Sequence, residues 1–142
     1  MVKKDKPGKV SGTKGLILVV DDNTQSRELV AEMIRDMGYT PIEAASTESA
    51  FNTFLKYSDR IDLVISDIVM PGGDGPDLIE DIRRIKPDLQ AIFMSGYTED
   101  EIVHDAVYRV QDSAAVFISK PFGLSDLKPL VLEHTIPIEN TP

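Results

Sequence analysis

The stretch that most constrains the fold is residues 61–71, Ile-Asp-Leu-Val-Ile-Ser-Asp-Ile-Val-Met-Pro. Its apolar run, 63–65, ends abruptly at a carboxylate, Asp67, and Pro71, Gly72, Gly73 and Gly75 follow. A short run of this kind, closed by turn residues, implies a strand covered on both faces. Such strands belong to parallel sheets, which place ligands and chemistry beyond the carboxyl ends of their strands. Asp67 stands at such an end.

The rest of the chain repeats the pattern. Residues 16–20 are apolar and stop at Asp21 and Asp22. Leu29, Val30, Met33, Ile34 and Met37 then recur at helical spacing, with Asn23 or Thr24 as cap and Gly38 as stop. Residues 40–45 are short and extended, and Pro41 assigns them to a sheet edge. Ser46 caps a second helix with Ala50, Phe51, Phe54 and Leu55 on one face. Beyond the glycines, Pro76 suits a first helical turn, and Leu78, Ile79, Ile82 and Ile85 give its buried stripe. Residues 91–94 form a fourth apolar run ending at Ser95 and Gly96. Thr98 to Glu101 is a capping box that opens a fourth helix. Residues 114–118 form the fifth run, ending in Ser119, Lys120 and Pro121. Ser125 is a cap for a last helix, but Pro129 removes a ladder bond from it. Either its first turn is irregular, or the helix is short and begins near Lys128.

Five strands alternating with helices predict a doubly wound α/β fold of the (βα)5 type, a five-stranded parallel sheet for which the flavodoxin-like order 2-1-3-4-5 is one of the two common solutions. The expected organisation is a basic tail or linker over 1–14, one domain over 15–134 and a C-terminal tail over 135–142. Hydrophobic content of 42% excludes a disordered chain. No apolar run approaches the roughly 20 residues that span a bilayer, so membrane insertion is not expected and a cytoplasmic setting is. The absence of cysteine excludes disulfides and thiolate chemistry. Residues 1–14 carry five lysines and one aspartate; with −9 overall, the remainder holds −13. Such an acidic body repels nucleic acid, so no DNA binding is expected.

In the 2-1-3-4-5 order, Asp21, Asp22 and Asp67 converge at one edge, with Ser95 and Lys120 beyond Asp67. Unit charges about 4 Å apart interact by about 4 kcal/mol at an effective dielectric near 20. Either a pKa rises or a cation is bound. Oxygen-only ligands favour a hard ion, Mg²⁺ or Mn²⁺. Mg²⁺ takes one or two carboxylates plus phosphate oxygens, which leaves Asp67 free to act as a nucleophile toward phosphorus. Lys120 would neutralise the moving phosphoryl group, and the Ser95 hydroxyl would donate to it. Taken singly, each residue has a plainer role: helix-start acids, a surface lysine, a turn serine.

The ordered set resembles the response-regulator receiver domain, the CheY-like family. The matching segments are Leu-Val-Val-Asp-Asp at 18–22, Leu-Val-Ile-Ser-Asp-Ile-Val-Met-Pro at 63–71, Asp-Gly at 74–75, Phe-Met-Ser-Gly at 93–96 and Phe-Ile-Ser-Lys-Pro at 117–121. The resemblance spans 16 to about 134. It implies a phosphorylation-dependent switch of two-component signalling rather than an enzyme acting on other substrates. Asp67 would accept a phosphoryl group from the phosphohistidine of a sensor histidine kinase or histidine phosphotransfer protein. Asp22, Asp67 and the Val69 carbonyl would bind Mg²⁺ directly, and Asp21 through water. Ser95 and Lys120 would hold the acyl phosphate, with Lys120–Pro121 cis. Phe117 would take the aromatic switch position, moving inward as Ser95 is drawn to the phosphate. The output would be a changed surface on the fourth helix, fifth strand and last helix, read by a downstream protein partner.

Val69 and Tyr97, two residues beyond Asp67 and Ser95, flank the path of hydrolytic water. Neither can aim a water as a carboxamide could, so slow self-dephosphorylation is expected. The Phe-x-x-Lys-Pro-Phe ending at 117–122 and the basic lead-in are similar to receivers attached to hybrid histidine kinases. Three other readings fit less well. A binding-only pseudo-receiver would lack an acid or the lysine. A haloacid-dehalogenase-type phosphatase needs a carboxylate where Val69 stands. A flavodoxin would not set Asp21 and Asp22 against a phosphate.

Overall fold

The computed structural model describes residues 15–96 and 115–135. In chain order the elements are β1 (Leu16–Val20), α1 (Thr24–Asp36), β2 (Thr40–Ala44), α2 (Thr47–Tyr57) and β3 (Ile61–Asp67). Then come β4 (Val69–Met70), β5 (Gly73–Asp74), α3 (Gly75–Arg83), β6 (Gln90–Ser95), β7 (Ala115–Ser119) and a C-terminal helix, Leu124–Thr135. The five main strands form one parallel sheet in the order β2-β1-β3-β6-β7. Counting only these five gives 2-1-3-4-5, the flavodoxin-like arrangement expected. The helix anticipated from Thr98, with Tyr97 before it, lies outside the described residues, as do both tails.

Alternation along each strand sorts the core into two layers. Leu16, Leu18, Val20, Val64 and Phe93 pack with α2 and α3, through Phe54, Leu78, Ile79 and Ile82. Ile17, Val19, Leu63, Ile65 and Ile92 face α1 and the C-terminal helix, through Val30, Ile34, Leu127 and Val131. Burial on both faces is why these strands read as continuous apolar runs. The β1–β3 register slips once, between Leu16 and Ile17, leaving Asp62 as the extra residue on β3. That bulge brings Val64 and Ile65 into phase with Leu18 and Val19.

Capping follows the side-chain chemistry. Asn23 Oδ1 accepts from the Ser26 N–H at 2.8 Å. Ser46 and Ser49 form a reciprocal capping box. Asp74 Oδ1 accepts from the Asp77 N–H at 2.9 Å, with Pro76 in the first turn of α3. Gly38 takes φ 93° just past α1, where a side chain would be strained.

Three apolar residues assigned to buried stripes are exposed: Leu29 by 56%, Leu55 by 50% and Ile85 by 49%. Leu29 and Leu55 sit on their helices about 100° from Val30 and Phe54, outside the arc that meets the sheet. Ile85 lies past the end of α3. The last helix starts early, at Leu124 rather than near Lys128, and Ser125, expected as its cap, lies inside it. Its start is organised around Gly123, whose N–H bonds to Asp126 Oδ2 at 2.9 Å and whose carbonyl accepts from the Asp126 and Leu127 N–H groups. That cap and the buried Leu127 and Val131 hold the helix although Pro129 cannot donate to the Ser125 carbonyl.

The β4–β5 hairpin is a further finding. Pro71 and Gly72 join its two strands, and Gly72 has φ 84° with open space where a Cβ would sit. The Pro-Gly order suits a type II turn, which needs positive φ at the second position. Gly72→Ala is therefore expected to lower stability by about 1 kcal/mol through backbone strain alone, as read from urea unfolding. Among the described residues, no helix is long and apolar enough to cross a membrane.

Candidate functional site

The strand register carries the candidate residues to one edge. Val20 pairs with Ser66, so Asp21 and Asp67 each follow a paired position. Asp67 pairs with Met94, the residue before Ser95; Ser95 pairs with Ser119, the residue before Lys120. Four chain-distant residues thus reach the same carboxyl edge without any loop having to reach across.

Asp21, Asp22 and Asp67 each offer a carboxylate oxygen, and these oxygens lie within 4.8 Å of one another. Asp21 and Asp67 are buried, Asp22 is exposed. Lys120 Nζ sits 2.7 Å from Asp67 Oδ1 and 3.1 Å from Asp21 Oδ2. The Lys120–Pro121 peptide is cis, and the Lys120 N–H donates to the Ser95 carbonyl at 2.7 Å, tying the β7 end to β6. Ser95 is buried beside this edge. Val69 opens the hairpin with its side chain exposed. Phe117 is half-buried and stacks on the buried Phe93, ring centroids 5.4 Å apart.

The electrostatics follow from crowding. Burial, then the hydrogen bond and charge of Asp21, push the Asp67 carboxyl up from the ordinary 3.8 to about 7, with Lys120 acting the other way. Burial also raises Asp21, but hydrogen bonds with Asp67, Ser26 and the Asn23 N–H, and the Lys120 charge, hold it below the usual range. The pair thus behaves as a carboxylate sharing a proton with a neighbouring acid. Burial lowers Lys120, yet its bonds to Asp67 and Asp21 win and raise it.

Three carboxyls against one ammonium leave an excess of negative charge, and the donors are oxygen only. That set fits a small hard cation. One residue of the site escaped the sequence reading. Arg27, on α1, donates from a terminal guanidinium nitrogen to the Asp21 carbonyl at 2.9 Å and from Nε to Glu43 at 3.0 Å. It pins the β1–α1 loop that presents both acids. No local pattern marks it, because its partners come from the β1–α1 loop and from β2.

Comparison with known proteins agrees with this geometry. A family model described as response regulator receiver domain matches residues 17–132. The sensor kinase CckA of Brucella abortus is 35% identical over 92% of this chain, a region that makes up 13% of that kinase. Sporulation initiation phosphotransferase F of Bacillus subtilis is 28% identical over 83% of this chain and 91% of its own length. Among solved structures, the receiver domain from the hybrid histidine kinase CckA superposes with TM-score 0.71 at 30% identity, covering 86% of this chain and all of that one. A receiver domain protein from Clostridium thermocellum gives TM-score 0.77 at 24% identity, covering 85% and 94%.

Proposed function

The chain belongs to the response regulator receiver domain family, and on that premise we propose that Asp67 is the phosphoacceptor, taking its phosphoryl group from the phosphohistidine of a sensor histidine kinase or histidine phosphotransfer protein. The observation that carries this reading is the Lys120 ammonium within 2.7 Å of Asp67, inside a gathering of three acids.

The transfer balances simply. An Asp67 carboxylate oxygen attacks phosphorus, the P–N bond to the donor imidazole breaks, and its electron pair leaves with the imidazole. Lys120 is placed to neutralise a phosphoryl oxygen as charge spreads over the equatorial positions. The Ser95 hydroxyl donates to a second. Asp22, Asp67 and the Val69 carbonyl would hold Mg²⁺ or Mn²⁺, with Asp21 acting through water. The ion, when bound, supplies charge neutralisation between carboxylates and phosphoryl oxygens. The product is an aspartyl phosphate, and the chain serves as a cytoplasmic switch. As Ser95 is drawn toward the phosphoryl group, Phe117 turns inward and reshapes the surface of β7 and the C-terminal helix for a downstream protein. The test is intact mass after incubation with acetyl phosphate and Mg²⁺: one phosphoryl group is added, and hydroxylamine removes it.

Two further outcomes follow. A proton competes with the cation at Asp67, so Mg²⁺ affinity is expected to rise about tenfold per pH unit up to pH 7 and level off above it. Calorimetric titration between pH 5.5 and 8 reads this; a flat profile would contradict the shared-proton picture. The second concerns lifetime. Val69 presents no group that aims a water at phosphorus, so the acyl phosphate should be long-lived. The Val69→Asn, Tyr97→Ala double variant is expected to shorten its half-life several-fold by placing a carboxamide beside the phosphoryl group. An unchanged half-life would show that these positions do not gate hydrolysis.

A further inference from the structure

On the α2–α3 side of the sheet lies a groove of about 350 Å³ that the phosphoacceptor chemistry does not use. Glu48, Phe51 and Asn52 of α2 face Asp77, Leu78 and Asp81 of α3 across it, and among the described residues no lysine or arginine lines it. Asp81 pairs with Arg84 at 2.8 Å on the exposed surface, and Asp74, which also lines the groove, caps α3. The lining still holds four acids with an apolar floor. It suits an extended segment with spaced cations and a small apolar residue.

The chain itself supplies one. Residues 1–14 hold Lys3, Lys4, Lys6, Lys9 and Lys14, one aspartate, and Val10. They enter the fold at the right place. The Leu16 N–H donates to the Arg60 carbonyl at 3.1 Å. Gly15 packs so closely on this turn that a Cβ there would meet Asp62. Arg60 follows directly on the end of α2, so the segment leaves the body at the foot of the α2–α3 face. From there α2 rises 11 residues to its amino end, about 16 Å at 1.5 Å per residue. Five or six extended residues cover that distance at about 3.3 Å each. At that length Lys9 and Lys6 would reach the acidic end, and Val10 would have Phe51 and Leu78 to cover. The groove on the α1 side, by contrast, is lined among the described residues by Lys120 and by no acid.

We propose that residues 1–14 dock along the α2–α3 groove of their own chain, held by lysines against its acidic rim. The tether gives the segment a millimolar effective concentration, so weak contacts suffice. This inference is independent of phosphoryl acceptance at Asp67.

The chain has no cysteine, so Lys6→Cys carries a single nitroxide label on the full-length protein. Its effect on amide signals locates the segment. At low salt, signal loss at Asn52 and Asp81 should be at least twice that at Glu28 and Glu32 on α1. The difference should vanish in 0.5 M NaCl and in the Glu48→Lys, Asn52→Lys variant, whose changes lie on exposed helix surface. Uniform loss, or loss centred on Asp21 and Asp22, would overturn the proposal. So would equal loss in a mixture of labelled chain with unlabelled isotope-enriched chain, since the occupant would then come from a second copy. Acetyl phosphate labelling of the same samples reports the Asp67 reading separately.

Discussion

Asp67→Asn is expected to abolish phosphoryl uptake and, in the metal-free protein at pH 8, to raise stability. The first effect is chemical. A carboxamide oxygen does not attack phosphorus, and the other acid against Lys120, Asp21, is fully buried, so acetyl phosphate should add nothing to the variant. The second follows from the crowding. Burial and Asp21 push the Asp67 carboxyl from 3.8 to about 7. A folded pKa above the unfolded one means the folded state holds the proton more tightly. The stability that the proton contributes is complete below about pH 4 and is lost as pH rises through 7. At about 1.4 kcal/mol per pKa unit, the ceiling is about 4 kcal/mol. Losing the charge opposite Lys120 offsets part of it, leaving a net gain of about 1–3 kcal/mol. Urea unfolding at pH 5 and pH 8 reads this directly: the variant's advantage should grow with pH. Mg²⁺ should then restore the wild type and affect Asp67→Asn little. A variant less stable than wild type at pH 8 would mean that the acids do not strain the site; residual acyl phosphate would mean another acceptor.

The legibility of this site in the sequence has a physical source. Residues that meet through parallel register must stand at strand ends, and strand ends are where apolar runs stop. Asp21, Asp67, Ser95 and Lys120 could be read for that reason; the strand order that joins them is one of two common solutions, and the family resemblance chose it. Arg27 could not, because its contacts with the Asp21 carbonyl and Glu43 depend on how α1 is rotated over the sheet. The rotations of α1 and of α2 likewise decided the exposure of Leu29 and Leu55, where 3.6-residue periodicity admits a wider stripe than the sheet covers. The start of the C-terminal helix turned on a Gly123–Asp126 cap, whereas Ser125 is the stronger sequence signal. The glycines at 72, 73 and 75 looked alike as turn residues, yet they do different jobs.

Gly75→Ala shows how different, and it is expected to be the most damaging single methyl added near the site. Gly75 begins α3, and its N–H donates to the Ile68 carbonyl at 2.8 Å. A Cβ there would lie 2.3 Å from the Asp67 carbonyl oxygen and 3.0 Å from Ser66 Oγ. Ser66 Oγ already donates to that same carbonyl at 2.8 Å inside the core, so neither neighbour can turn away freely. The obstruction is backbone, unlike that at Gly73, where a Cβ meets the Thr47 side chain. Relief requires α3 or the end of β3 to shift by roughly 1 Å, at an overpacking cost of about 3 kcal/mol. The melting temperature should fall by about 10 °C. Because β3 ends in Asp67, the shift also moves a cation ligand beyond the roughly 0.5 Å that a working site tolerates, and Mg²⁺ affinity should drop about tenfold. Gly72→Ala is the control: it strains only its own backbone and should leave Mg²⁺ binding unchanged. If Gly75→Ala melts with the wild type and binds Mg²⁺ equally well, α3 does not rest on the Asp67 backbone, and the helix is not what fixes the acid in place.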